Sequence, residues 1–138
     1  MKKVMNTAIV YFLVAMISGV FYREFTKIND FSGQTVLAVL HTHLLALGTA
    51  VFLMIAVIFK VTNLESNKLY KKFYVLYNVS FPLMLVMMST RGVVEVTNTS
   101  ISSGVDAMIS GIAGLSHIGL AVALFMLLIS IKKELVNS

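Results

Sequence analysis

The stretch TVLAVLHTHLLALGTAVFLMIAVIF, residues 35–59, contains two ionisable side chains, His41 and His43, and otherwise only apolar residues, threonine and glycine. A helix rising ~1.5 Å per residue over that length exceeds the ~30 Å hydrocarbon core of a bilayer. In lipid a lone segment of this kind must be helical, because only a helix satisfies all of its own backbone groups. Both histidines lie in the early part of the run, still at hydrocarbon depth. Ionisable groups at such depth are costly and face a partner, a cavity or a ligand.

Three further apolar runs, 5–22, 73–90 and 108–131, repeat the pattern and are joined by short connections. The expected fold is therefore all-α: an integral membrane four-helix bundle forming a single domain over residues 1–138. Composition agrees, since 58% of the residues are hydrophobic and only 12% are charged. The mean hydropathy of +0.90 excludes an ordinary soluble domain. Absence of cysteine removes disulfides, thiolate ligands and thiol chemistry.

A net charge of +5 would point to nucleic acid in a soluble chain, but here the lysines mark the ends of apolar runs. Lys2, Lys3, Lys60, Lys68, Lys71, Lys72, Lys132 and Lys133 share one side, leaving Arg23, Lys27 and Arg91 on the other. The positive-inside rule then puts both termini in the cytoplasm of a multi-pass protein of the cell membrane, with no nucleic-acid partner. Met1-Lys2-Lys3 before an apolar run also fits a signal peptide. No small-x-small cleavage site follows, and the run ends in Phe21-Tyr22, so retention is expected. Tyr70, Tyr74 and Tyr77 read as an interfacial aromatic belt.

His41 and His43 are two residues apart and project ~200° from one another on a helix, so they serve opposite flanks rather than chelating one ion. His117, in the fourth run, falls in the same outer slab of the membrane as the pair. Interhelical hydrogen bonding alone is the plain alternative, and it is strongest for His117, which sits between Ser116 and Gly119. Neutral imidazole ligates iron, copper or zinc. With no cysteine and no acid at that depth, haem fits better than a bare ion, because it needs one or two axial imidazoles and an apolar pocket. Gly48, seven residues after His41, would admit a flat macrocycle to the backbone. Arg91, at the outer end of the third run, would meet a haem propionate through a charge-assisted fork, or would pair with Glu95 as an interfacial anchor.

The run from His41 through Thr42, His43, Gly48 and Ala50 to Phe52 resembles a helix of the catalytic subunit of haem–copper oxidases and nitric-oxide reductases, and the whole chain is similar to small four-helix bacterial membrane proteins. In the oxidase subunit a His-x-His gives one axial ligand to each of two haems, and arginines hold the propionates. The resemblance implies haem b as cofactor in a bacterial inner-membrane protein, with His41 and His43 as iron ligands and Arg91 at a propionate; His117 would then orient an axial histidine, contact a propionate or itself be a ligand. The oxidase subunit has three arcs of four helices, so a homotrimer would rebuild a twelve-helix ring, with each haem shared between His41 of one chain and His43 of the next. The chain lacks the histidine pair and the histidine–tyrosine helix of the copper centre. Oxygen or nitric-oxide reduction is therefore not implied, and a non-enzymatic role in electron transfer or redox and gas sensing is expected. The alternatives are a proton-coupled transporter or channel using the three histidines, and an assembly subunit of a respiratory complex.

Overall fold

The computed structural model describes residues 1–136 as four long helices: α1 Lys2–Ile28, α2 Leu37–Val61, α3 Lys68–Thr97 and α4 Ser103–Val136. All four are long and apolar enough to cross a membrane, as in a multi-pass membrane protein. The helices outrun the apolar runs that announce them. Backbone hydrogen bonding continues through the boundary, where lysine, glutamate and threonine reach water while remaining helical.

The ends are fixed locally. Asn67 opens α3 by accepting hydrogen bonds from the backbone N–H groups of Leu69 (2.8 Å) and Tyr70 (3.3 Å). Its amide also donates to Glu134 at the far end of α4 (2.7 Å). Asn98 ends α3 in the left-handed region, φ 49°, which asparagine tolerates better than most residues. Helix α2 borrows its cap: the Val36 N–H donates to Glu95 of α3 (2.8 Å), placing a carboxylate at the positive end of α2.

Within α2, residues Leu44–Ala50 form a π-helical stretch immediately after His43. Widened turns of this kind recur at functional sites. One of its carbonyls, that of Leu47, accepts the hydroxyl of Tyr77 from α3 (2.7 Å).

α3 is the centre of the bundle. In its most hydropathic window 39% of the residues are buried, against 22% for α4, which packs along α3 and is otherwise open. Asn78 and Ser80 of α3 point ~200° apart. Asn78 takes a hydrogen bond from Tyr11 of α1 (2.9 Å), whereas Ser80 abuts Gly119 of α4. α1 and α4 therefore lie on opposite sides of a central α2–α3 pair, and two furrows result, one between α1 and α3 and one between α2 and α4.

The core is aromatic. Tyr11, Phe52, Phe73, Tyr77 and Phe81 are buried, with ring centroids such as Tyr11–Phe81 at 5.1 Å and Phe73–Tyr77 at 5.1 Å. This corrects the expectation of a tyrosine belt. Tyr70 and Tyr77 are enclosed by the bundle, and their spacing along α3 turns them to the helices rather than to the interface. The large apolar side chains left outside, Ile17, Val57, Leu115 and Phe125 among them, suit a lipid environment.

Candidate functional site

The halves of α2 and α4 away from the lysine-rich ends carry the histidines, and each imidazole has a distinct setting. His41 lies on the flank of α2 that faces α1: a Cβ added at Gly19 would stand 3.8 Å from its Cβ. Its Nδ1 is buried and has no hydrogen-bond partner. A buried nitrogen in that condition leaves desolvation uncompensated.

His43 projects from the opposite flank into a recess of about 270 Å³ lined by Thr42, Ala46 and Leu47. Its Nδ1 lies 2.8 Å from the carbonyl oxygen of Val39, one turn back. A carbonyl can only accept, so Nδ1 carries a proton, and in the neutral ring the lone pair is then on Nε2. His117 repeats the arrangement: it is exposed, with Nδ1 2.7 Å from the Ala113 carbonyl oxygen. Backbone bonding of one ring nitrogen fixes the ring and the tautomer and presents the other nitrogen as a ligand.

Helical phase relates these two rings. His43 faces away from α1, and α1 and α4 flank the central pair on opposite sides, so His43 is turned to the α4 side. On α4, Asp106, Ser110 and His117 fall on one stripe at spacings of four and seven residues. Arg91 of α3 reaches that stripe, donating to Asp106 and to Ser110 Oγ (2.8 Å). His117 stands two turns, ~10 Å, further along it. By this helical phase His43 and His117 are turned to the same side of the bundle, and Arg91 lies nearer the Ser103 end of α4. His41 is turned to α1 instead.

Two expectations change. Gly48 offers no room for a macrocycle, because a Cβ there would meet Tyr11 Cβ at 2.6 Å and Phe81 at 3.2 Å. Its lack of a side chain is used to seat α1 against α2. Arg91 pairs with Asp106 rather than with Glu95, which caps α2 instead. The two contacts engage two of the five guanidinium N–H donors.

Asp106 and Ser110 are the partners of Arg91 that the sequence reading passed over. Folding the short connection after Asn98 into a hairpin brings Arg91 and Asp106, one charge near each side of it, to the same level. That signal was available in the sequence. Among the described residues no three His, Asp or Glu side chains gather into a cage for a bare metal ion.

This geometry belongs to a small four-span, histidine-bearing membrane protein class. The chain matches, over residues 1–134, the model of the family described as "Protein of unknown function (DUF2871)", and it belongs to that family. No curated protein and no solved structure matches it. None of these comparisons links the chain to the haem–copper oxidase subunit.

Proposed function

We propose that this chain is a haem b-binding membrane protein that works in electron transfer or in redox and gas sensing. What supports the reading is the setting of His43 and His117, each with Nδ1 tied to a carbonyl of its own helix so that, in the neutral ring, Nε2 is left for a ligand. Bound there, haem would supply a reversible one-electron couple at iron. The chain's own residues would do the rest. His43 and His117 would offer neutral imidazoles, and the Arg91–Asp106–Ser110 group would stand near the level of carboxylates at the outer boundary. Apolar α2 and α4 surfaces would exclude water. Two imidazoles on one iron leave no open position, which favours electron transfer over catalysis.

The furrow is open on its outer side, and a second copy is the natural cover. In a ring of three chains, with both termini cytoplasmic, the α1 side of one chain would lie against the α2–α4 side of the next. Mass measurement of the detergent-solubilised protein should give a trimer, and a monomer or dimer rules out the ring.

The test of the haem reading is optical. Membranes from an overexpressing strain should show a Soret band and reduced-minus-oxidised haem b peaks. H43A and H117A should remove the low-spin signature alike, while H41A should leave the axial pair and weaken assembly. A folded protein that stays colourless after haemin is added defeats the reading.

A further inference from the structure

The furrow on the other side, between α1 and α3, holds three cavities that share walls. The first, about 450 Å³, lies at the lysine-rich end and is lined by Lys3, Glu65, Tyr70, Lys71 and Tyr74 with Phe59. The second, about 390 Å³, shares Lys3 and adds Asn6, Thr7, Tyr11 and Asn78. The third, about 550 Å³, shares Tyr11, Val10 and Pro82 with the second and continues between Val14, Ile17 and Leu44. Charge gives way to neutral polar groups and then to hydrocarbon along one groove.

We infer that this groove binds an acidic phospholipid of the leaflet at the lysine-rich end. The ammonium groups of Lys3 and Lys71 meet the phosphate. The nearby negative charge, on Glu65, is already held by the Met1 α-amino group at 2.7 Å. Lys3 is positioned from below, its Nζ 4.5 Å from the centre of the Tyr74 ring. Tyr70 supplies an independent pointer. Only 5% of the residue is exposed, and its enclosed hydroxyl has no hydrogen-bond partner. A headgroup oxygen entering the first cavity provides the missing acceptor.

One to two turns deeper, at the depth of glycerol esters, stand Asn6, Thr7, Asn78 and the Tyr11 hydroxyl. Thr7 and Tyr74 share a hydrogen bond of 2.7 Å, and Tyr11 donates to Asn78. Beyond them Val10, Val14 and Pro82 offer only apolar surface to an acyl chain. This order of chemistries matches an anchored lipid and does not suit a partner helix, whose polar end would be as narrow as its middle.

Native mass spectrometry of the full chain in detergent, titrated with phosphatidylglycerol and phosphatidylcholine, tests the inference. Phosphatidylglycerol should be retained preferentially, each lysine contributing about fivefold. K3Q/K71Q should abolish the preference while neutral lipid still binds. V10F, on the exposed groove wall, should reduce occupancy by both lipids. Equal retention of the two lipids, or a preference that survives K3Q/K71Q, overturns the acidic headgroup. Unchanged occupancy in V10F overturns the groove. Displacement of the lipid by glycerol 3-phosphate at similar concentration would assign the site to a soluble phosphate and overturn the lipid. None of these outcomes depends on haem.

Discussion

The two furrows beside the α2–α3 pair are built from the same apolar helices, yet they treat their polar groups in opposite ways. Between α1 and α3 the polar side chains bond across the gap, Tyr11 to Asn78 and Thr7 to Tyr74. Between α2 and α4 the outer imidazoles bond only to their own helices, His43 to Val39 and His117 to Ala113. Cross-bonded groups hold helices together and are largely satisfied. Self-bonded rings contribute little to helix association and remain available to a ligand. The glycines divide too: Gly48, Gly92 and, on α4, Gly119 are pressed against a neighbouring helix, whereas Gly111 and Gly114 of α4 face open space.

The sharpest way to break that contrast is at Gly48. A leucine there drives its Cβ into Tyr11, which stacks on Phe52, meets Phe81 edge to face and cannot withdraw. We expect a loss of about 3 kcal/mol or failure to fold, read as thermal unfolding in detergent. A tolerated G48L would mean that α1 does not pack on α2 as described.

The next effect is smaller and tests the π-helical stretch. Y77F removes one hydroxyl from a fully buried ring and strands the Leu47 carbonyl oxygen it satisfies. The expected cost is about 1–2 kcal/mol by the same measurement, without loss of the helical circular-dichroism signal. A neutral Y77F would show that water or the helix itself takes up that carbonyl.

Much of this was readable in advance, and the failures have physical causes. Apolar length fixes each span, so the four helices could be read without coordinates. The ~200° between His41 and His43 is likewise intrinsic to a helix, and the structure places them on opposite flanks of α2. What could not be read is which helix covers which flank. Gly48 carries no mark that distinguishes a seat for Tyr11 from a seat for a macrocycle. Arg91 has an acid one turn away, Glu95, and another across a hairpin, Asp106, and only packing decides between them. The tyrosines of α3 lie near a boundary in sequence. Their burial depends on α1 and α2 arriving at the same level.

Arg91 sharpens the contrast at moderate cost. Its side chain is 27% exposed and that of Asp106 is 52% exposed, so solvent screens the pair. R91K keeps the charge and loses the fork that serves Asp106 and Ser110 together. Stability should fall by less than about 1 kcal/mol. In the haem reading, the reduction potential should nevertheless shift, because that group stands at the level of the haem carboxylates. An unchanged potential in a haem-loaded R91K would detach Arg91 from the site.

The smallest effect is expected at Gly114, and its smallness is the point. Nothing lies within 4 Å of a Cβ built there, and alanine is the better helix former. In an isolated chain G114A should leave the thermal midpoint within the equivalent of about 0.5 kcal/mol. Gly48 and Gly114 are thus the same residue type in comparable apolar helices, separated only by whether a neighbour has arrived. If G114A dissociates or destabilises the protein purified from membranes, a second chain must occupy that open face in the assembled form. The contrast would then be between contacts made within one chain and contacts made between copies.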